Sequence, residues 1–334
     1  MNNNSNNPLV SIRCMTFNHK PYIRQCLDGF VMQETNFPFV AIVVDDASTD
    51  NEQEVLWNFI NNELDHTSLQ KEDTDDFIRV VAPHKTNKQC VFIFILLKYN
   101  HYCIRKAKSP YYKDWEDKTK YIALCEGDDY WTDPLKLQKQ VDFLESHPDF
   151  SCVYHRYYIY NEITNELSLA PNKYFDNPKH KDEEFFEFNN EYNLLVQWTT
   201  KTLTVIYRRD TLNLELLRPF KYSRDVHIAY FLLKYGKGAC MSFTGAVYRL
   251  NPASTFGGKS YIQKTAINRD VYKEFSDKVN DYLLKEMYYR FNDEYLFKTL
   301  SGIELLYFRI KRKTRICLTK KKRNTLVNNI IPQI

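Results

Sequence analysis

The chain has 334 residues, of which 43% are hydrophobic, 26% charged and 15% aromatic, and its formal net charge is +4. This composition excludes a disordered chain, and no apolar run reaches the ~18 residues that a membrane-spanning helix needs. The sequence therefore predicts one large or two moderate globular domains. Only eight glycines are present, and neither the GxGxxG dinucleotide fingerprint nor the GxxxxGK-S/T phosphate loop occurs.

The first 150 residues alternate predicted strands and helices. Apolar and β-branched runs predict strands over 9–17, 39–44, 77–82 and 121–125. Helical spacing of apolar residues predicts helices over 21–32, around 55–60 and from Pro134 onward. The longest apolar run, 91–97, is interpreted as buried core. This order predicts an α/β fold with a mainly parallel sheet flanked by helices.

The second half is less regular. Strands are predicted over 151–160, 202–207 and 239–250, and a helix over 225–235 that ends at Gly236. Two polar and aromatic stretches are predicted to be a surface insertion, 109–118, and an exposed loop or flap, 173–193. Residues from Tyr261 onward have helical patterns. We therefore expect one domain over 1–250 and a helical C-terminal region over 251–334.

Two acidic doublets follow predicted strands, Asp45-Asp46 and Asp128-Asp129. Ligands bind at the carboxyl ends of the strands in open α/β sheets. Carboxylates there repel phosphate unless a cation lies between them, and Mg²⁺ and Mn²⁺ take carboxylate oxygens together with substrate phosphates. Asp128 and Asp129 therefore predict a divalent metal that holds a diphosphate, whereas Asp45 and Asp46 could accept hydrogen bonds from a base or ribose. The alternative is that both doublets only cap the following helices.

Three strings resemble family 2 glycosyltransferases of the GT-A fold: PLVSIRCMTFNHKPYIRQCLDGF from residue 8, VVDDASTD from residue 43 and YIALCEGDDYWTDPLKLQKQVDFL from residue 121. The resemblance is close over 8–150 and loose to about 255, and the EGDDYW string is similar to the branch that builds bacterial surface polysaccharides such as capsule and O-antigen. It implies a Rossmann-like GT-A domain with a nucleotide-sugar half over about 8–130 and an acceptor half over about 131–250.

The same resemblance implies an inverting, metal-assisted transfer from a nucleotide-diphosphate sugar, with a UDP-sugar favoured, to a glycan or a lipid-diphosphate-linked acceptor. Thr16, Phe17 and Asn18 match positions that line the nucleotide pocket. Phe17 stands where an aromatic ring commonly stacks on uracil, although a core position is the alternative. Asp46 matches the residue that contacts the base.

Asp128 and Asp129 match the metal-binding DxD region of the family, and Asp128 is thereby also expected to bind the nucleotide-sugar. Which of the two binds the metal, and whether Glu126 replaces the first acid, is left open. Trp131 is expected either beside the sugar pocket or in the core.

Inverting transfer needs a carboxylate that takes the proton from the acceptor hydroxyl. The family places this acid at the start of a helix, and Asp225 fits that pattern, with a role as helix N-cap as the alternative and Asp210 as the second candidate. In YRLNPASTFGG, Asn251 replaces the histidine usual in the family, which puts a third protein ligand in doubt. Arg249 is expected to pair either with the diphosphate or with a nearby acid.

The net charge conceals a basic tail. Nine Lys or Arg and no acid lie between Arg309 and Arg323, so the rest of the chain, with nine fewer of the 46 basic residues and all 42 acidic ones, has a net charge of −5. The tail predicts a basic amphipathic helix on an anionic membrane surface, where it would hold the enzyme near lipid-linked acceptors. A solvated terminus is the alternative. No RRM, KH or helix-turn-helix pattern is present, so we expect no nucleic-acid partner.

The remaining patterns concern location and rival functions. The eight cysteines form no CxxC pair, which favours reduced thiols. The start lacks a signal-peptide pattern, so we expect a cytoplasmic protein, at most peripheral on the inner face of the cytoplasmic membrane. The rival functions are a non-catalytic member of the same fold and a sugar nucleotidyltransferase. The second is disfavoured because MTFNHKPY, after the first strand, contains no glycine.

Overall fold

A computed structural model describes residues 7–221, 223–251 and 257–330, with side chains as far as Ile316. The chain divides into two compact units, Met1–Pro252 and Ala253–Ile334. Within the described ranges, no helix combines the length and apolarity needed to cross a bilayer.

The first unit contains twelve strands among its described residues. They are β1 (Val10–Thr16), β2 (Phe39–Asp45), β3 (Gln70–Asp73), β4 (Phe77–Pro83), β5 (Cys90–Leu97), β6 (Tyr121–Leu124), β7 (Tyr130–Trp131), β8 (Phe150–Asn161), β9 (Glu166–Leu169), β10 (Phe185–Phe188), β11 (Ile206–Arg208) and β12 (Lys237–Leu250). The helices of this unit are α1 (Ile23–Val31), α2 (Glu52–Glu63), α3 (Lys113–Glu116), α4 (Lys136–Ser146) and α5 (Asp225–Tyr235).

All of these strands belong to one sheet, in the order β10-β12-β8-β11-β6-β1-β2-β5-β4-β3, with β7 paired to β12 and β9 paired to β8. The four central strands β6, β1, β2 and β5 run parallel, as do β8 and β12. The other pairs are antiparallel. The predicted α/β fold with a central parallel sheet and flanking helices is confirmed.

The centre of the sheet is buried on both faces. Every residue of β2 is buried, and all but one residue of β5, as expected for parallel strands covered by helices. Helix α1 packs its apolar face, which includes Leu27 and Phe30, into this core. Gly29 permits this close approach, because a Cβ atom there would lie 2.9 Å from the backbone nitrogen of Trp131.

Two segments predicted to be exposed are partly buried instead. Residues 109–118 form a short 3₁₀ turn and α3, and Glu116 lies inside the fold. There Arg13 of β1 donates two hydrogen bonds to the Glu116 carboxylate, at 2.6 and 2.7 Å. A charged residue in a central strand needs a buried counter-charge, and this segment supplies it. The prediction of a surface insertion is therefore wrong at this point.

The stretch 173–193 contains the edge strand β10, with Phe175, Phe186 and Phe188 buried. The prediction of an exposed flap is wrong for these residues, because aromatic side chains in the stretch pack against one another. Residues 202–207, predicted to be a strand, form a 3₁₀ turn followed by the short strand β11.

The second unit is helical, as predicted. It contains α6 (Tyr261–Lys278), α7 (Tyr282–Thr299) and α8 (Gly302–Ile330). Helix α6 begins with a capping box of Ser260 and Gln263. Helices α6 and α7 contact each other through the stacked rings of Tyr272 and Phe291, at 5.5 Å between centroids.

Candidate active site

Acidic residues from distant parts of the first unit interact electrostatically beyond the end of β6. Glu126 and Asp128 follow that strand, and Asp225 is the first residue of α5. Glu126 is exposed to solvent, but the protein around it removes part of its hydration and raises its pKa to about 7. The negative charges of Asp128 and Asp225 raise it further. The structure thus brings Asp225 to the predicted metal-binding acids.

Asp128 and Asp129 have different environments. Asp129 is buried, and its Oδ1 accepts a hydrogen bond from the backbone nitrogen of Arg249 at 2.9 Å. Burial first, and then the charge of Asp128, raise the pKa of Asp129 well above its usual value. Asp128 is more accessible, and its Oδ2 lies 3.7 Å from Nε2 of His19. Asp128 is therefore the better placed of the two to meet a ligand.

Arg249 holds the backbone of this acidic segment. Its Nε donates to the carbonyl oxygen of Asp128 at 2.8 Å, and its Nη2 donates to Gln25 at 2.6 Å. Its Nη1 forms an ion pair with Glu162. The guanidinium also lies over the rings of Tyr22, Tyr130 and Tyr160. The predicted pairing of Arg249 with a nearby acid is observed, and its predicted pairing with a diphosphate stays a prediction.

A buried hydrogen-bond network joins the ends of β1 and β2. The Thr16 hydroxyl donates to Glu52, which also accepts from the Ser48 hydroxyl at 2.9 Å. Asp45 accepts from the backbone nitrogen of Ser48 and from the Gln53 side chain. Burial raises the pKa of both Asp45 and Glu52. The oxygen atoms of Thr16 and Asp45 are therefore engaged with the protein itself.

The carboxylate oxygens of Asp46 are also engaged with the protein itself. Its Oδ1 accepts a hydrogen bond from the backbone nitrogen of His101 at 2.7 Å, and its Oδ2 accepts one from that of Tyr102 at 3.1 Å. Lys108 forms an ion pair with it at 2.6 Å. Asp46, which is buried, fixes the segment that follows β5. Its predicted contact with a base remains a prediction.

The segment after β1 is exposed and conformationally unusual. Phe17 is 39% exposed, so the alternative of a core position for this ring is wrong. Asn18 has a left-handed backbone with φ of 58°, and its nitrogen donates to the Ser48 hydroxyl at 2.9 Å. Ala47, after β2, is also left-handed with φ of 59°. Such conformations cost about 1 kcal/mol or more each and occur often at ligand sites.

The candidate bases differ in position. Arg224, not Asp225, is the N-cap of α5, so the capping alternative for Asp225 is wrong. Asp225 is exposed, and its Oδ1 accepts a hydrogen bond from the backbone nitrogen of Val226 at 2.8 Å. Asp210 lies in a separate exposed 3₁₀ turn, Arg209–Thr211.

Trp131 is a core residue. It is buried, its indole nitrogen donates to the carbonyl oxygen of Leu203 at 2.9 Å, and its ring meets that of Phe30 edge-on at 5.0 Å. Of the two predicted positions for Trp131, the core is the one observed. Asn251, in the place of the family histidine, is buried.

Sequence reasoning missed Lys201 and His19. The Nζ of Lys201 lies 3.9 Å from the ring centre of Tyr248. Burial lowers the pKa of Lys201, while Asp225, Asp129 and Glu126 oppose this change. Lys201 therefore supplies positive charge among the acids. It lies outside every recognised motif, so no signal in the sequence identified it, whereas His19 stands inside the MTFNH string and could have been singled out.

The described residues contain no preassembled group of three or more His, Cys, Asp or Glu side chains that could hold a metal ion. The donors that Glu126 and Asp128 offer are hard carboxylate oxygens. Mg²⁺ is commonly bound by one or two carboxylates together with substrate phosphates and water. The residues present therefore fit a divalent cation that binds together with a diphosphate.

Several known proteins are similar to this chain in sequence. Residues 11–79 match the family model described as Glycosyl transferase family 2. The uncharacterized proteins Rv1520 of Mycobacterium tuberculosis and Mb1547 of Mycobacterium bovis are each 33% identical over 151 residues, which is 44% of this chain and 34% of each relative. The chain therefore aligns with about a third of the length of these relatives.

Two solved structures are similar. TarS 1-349 of S. aureus, in complex with UDP-GlcNAc, has a TM-score of 0.50 at 15% identity, over 86% of this chain and 72% of that one. The mannosyltransferase PcManGT of Pyrobaculum calidifontis, in complex with GDP-Man and Mn²⁺, has a TM-score of 0.48 at 12% identity, over 93% and 81%. At such identities the likeness to TarS concerns the fold alone. The predicted resemblance to family 2 glycosyltransferases is confirmed over residues 11–79, which match the model of that family.

Proposed function

We propose that this protein is an inverting glycosyltransferase of the hexosyltransferase type. It moves a sugar from a nucleotide-diphosphate sugar, with a UDP-sugar favoured, to a glycan or lipid-diphosphate-linked acceptor in bacterial surface polysaccharide synthesis. The observation that carries the proposal is the electrostatic interaction of Glu126 and Asp128, at the end of a central parallel strand, with Asp225, which lies about 100 residues further along the chain. Ligands bind at this edge of α/β sheets.

Glu126 and Asp128 would hold the divalent metal, Mn²⁺ or Mg²⁺. Mutual repulsion makes the uncompensated pair unfavourable, so a cation would relieve it. When bound, the ion neutralises charge on the departing nucleoside diphosphate as a Lewis acid. Asp129, originally the second predicted ligand, would position this segment through its bond to the Arg249 nitrogen.

Phe17 would stack on the base, since its ring is exposed beside the end of β1. Thr16 and Asp46 would act indirectly, because their oxygens already accept or donate bonds that fix the two neighbouring segments. Asn18 would shape the pocket through its left-handed backbone. Arg249 would also shape the pocket, because its bonds to Glu162 and to the Asp128 carbonyl hold the segment after β6.

Asp225 would take the proton from the acceptor hydroxyl as that oxygen attacks the anomeric carbon of the donor. The bond from this carbon to the diphosphate breaks, and attack from the opposite face inverts the configuration. Asp225 suits this role because it is exposed and lies near the metal-binding acids. Lys201 would limit the repulsion between these acids and the incoming phosphates.

The proposed acceptor also implies a location for the protein. A lipid-diphosphate acceptor would lie on the inner face of the cytoplasmic membrane, and the basic tail 309–323 is proposed to attach the protein there. The tail's side chains from Cys317 onward lie outside the described residues.

The first experiment is a thermal-shift panel of UDP-, GDP- and dTDP-sugars with and without Mn²⁺, followed by transfer or donor hydrolysis with the sugar that binds. Asp225→Asn should bind the donor and lose turnover. Asp210→Asn is the matched control, since it changes an exposed acid outside the acidic site and should keep turnover.

Two results would contradict the proposal. If no nucleotide-sugar stabilises the protein with or without metal, it is not a glycosyltransferase of this type. If a sugar binds but Asp225→Asn turns over as fast as the wild type, the base is another residue. Binding without any turnover in the wild type would favour the non-catalytic alternative.

A further inference from the structure

Helix α8 has one face that packs against α7. The ring of Phe308 meets that of Phe297 of α7 edge-on, at 5.0 Å between centroids. One turn further on, Nε of Arg312 donates to Oδ2 of Asp293 of α7 at 2.8 Å, and Arg315 reaches the same carboxylate oxygen. These contacts fix which side of α8 faces the rest of its unit.

The opposite face of α8 is apolar and exposed. Ile303 is 82% exposed, Leu306 58%, Tyr307 60% and Ile310 56%. Their spacing of three, four and seven residues places them in one stripe along the helix. At about 100° per residue, Arg312 lies roughly half a turn away from Ile303, which agrees with its contact to α7. Single exposed apolar residues are ordinary, but a continuous stripe indicates an interaction surface.

Positive charges border this stripe on both sides. Lys311 and Lys313 are exposed and lie roughly 80° to either side of the line through Ile303 and Ile310. The Nζ of Lys311 lies 4.5 Å from the ring centre of Tyr307. Glu304 is the only acid in the sequence of α8. A long side chain at the edge of an apolar face can extend its charge to a polar boundary while its stem stays in apolar surroundings.

We propose that the α8 stripe, formed by Ile303, Leu306, Tyr307 and Ile310, lies in the interface of an anionic lipid bilayer, with Lys311 and Lys313 at the headgroups. Charge complementarity selects this partner. In a pairing of two copies through the same face, lysines of both chains would be brought together, whereas anionic headgroups attract them. An apolar face with flanking lysines is typical of helices that lie in the membrane interface.

This proposal goes beyond the basic tail predicted from sequence. The tail was placed at 309–323, but the stripe begins six residues earlier, at Ile303. A truncation after residue 308 would therefore leave most of the apolar stripe in place. The proposal does not depend on the acidic site or on any transfer reaction.

The test is co-sedimentation of the full chain with vesicles of phosphatidylcholine alone and with vesicles containing about a third phosphatidylglycerol. The wild type should bind the anionic vesicles preferentially. The triple variant Ile303→Ser, Leu306→Ser, Ile310→Ser should bind at least roughly tenfold more weakly. The variant Lys311→Gln, Lys313→Gln should bind anionic vesicles roughly thirtyfold more weakly.

A matched control changes three exposed apolar residues of the first unit, Ile163→Ser, Leu167→Ser and Leu169→Ser, and should bind vesicles like the wild type. Circular dichroism and gel filtration check that each variant is folded. Equal vesicle binding by the stripe variant and the wild type would overturn the proposal. So would a wild-type dimer that the stripe variant abolishes without a change in vesicle binding, since the stripe would then be a self-association surface. Thermal shift with nucleotide-sugars should be the same in all variants, which separates this proposal from the proposed activity.

Discussion

The two acidic doublets of the first unit look alike in sequence but differ in structure. Asp45 is the last residue of β2 and Asp46 follows it, Asp128 and Asp129 follow β6, and only β1 separates β2 from β6 in the sheet. At the first doublet, hydroxyl, amide and ammonium groups of the protein surround the carboxylates. At the second, the carboxylates face other carboxylates, and the backbone nitrogen of Arg249 and the ammonium group of Lys201 moderate their repulsion.

The difference separates two uses of an acidic residue. An acid that is matched with donors keeps those buried donors paired, so its removal costs stability. Acids that face one another are unfavourable until a cation arrives, so their arrangement costs stability and favours binding. Equal positions at the ends of parallel strands therefore do not imply equal roles, and mutation should separate the two doublets.

The largest effect is expected at the second doublet. Asp128→Asn or Glu126→Gln should lower the transfer rate about a thousandfold, near 4 kcal/mol of activation free energy, because the metal loses a charged ligand. The stability should stay the same or rise, since repulsion between the acids falls. Transfer assays with Mn²⁺ and urea unfolding check this together. Variants that transfer sugar at the wild-type rate without added metal would show that the second doublet holds no metal.

At the first doublet the effect should fall on stability. Asp46→Ala removes the acceptor for two backbone nitrogens and leaves Lys108 without its carboxylate. The loss should be about 3 kcal/mol in the free energy of unfolding, measured in urea. The double variant with Lys108→Met should recover part of it. Full stability with weakened nucleotide binding would contradict the structural role and restore the predicted contact with the base.

Gly127, next to the second doublet, lies against the end of β1. A Cβ atom there would lie 2.2 Å from Oγ1 of Thr16 and 3.0 Å from Nδ1 of His19. Gly127→Ala should therefore destabilise the protein by about 2 kcal/mol, since it pushes the end of β1 away. Thr16→Ala, made alone and combined with Gly127→Ala, is the control. If the two losses simply add, the clash is not with Oγ1 of Thr16.

The smallest effect concerns the buried lysine Lys136. The Nζ of Lys136 lies 4.0 Å from the ring centre of Trp131 and donates to Gln140 at 2.8 Å, and burial lowers the pKa of this lysine to about 7. An unfolded lysine keeps its proton to about pH 10.4. Between these values the unfolded chain binds more protons, so stability should rise with pH.

From about pH 7 to pH 9 this lysine should add about 2 kcal/mol to the free energy of unfolding. Lys136→Met should remove that rise when unfolding is followed in urea at both pH values. Lys139→Met, which changes a half-exposed lysine on the same helix, is the control and should keep the rise. An unchanged slope in Lys136→Met would show that this lysine stays charged in the fold.

Local patterns predicted the elements that depend on local forces. The helix over 225–235 was predicted residue for residue, because apolar spacing and Gly236 define it within the sequence. The prediction that 109–118 is exposed was wrong because Glu116 is buried and pairs with Arg13, about 100 residues away in the chain. The prediction that 173–193 is an exposed flap was wrong for a similar reason, since phenylalanines of this stretch pack against one another at the edge of the sheet.

The site shows the same division. Acids after apolar strands form a local pattern, so both doublets were found. The contacts that distinguish the doublets come from distant residues such as Lys201 and Lys108, and no spacing in the sequence reveals them. The two possible partners of Arg249 could not be separated either, because its choice depends on Glu162 being near in space.

The hydrogen bond from Arg249 to the Asp128 carbonyl also affects how the site responds to a fall in pH. Guanidinium groups keep their charge at any pH that a folded protein meets. The carbonyl of Asp128 is thus held by a donor that does not titrate, while the carboxylates next to it do. Acidification should therefore protonate the carboxylates of the site while its backbone stays in place. Returning the protein to neutral pH should then restore cation binding without refolding.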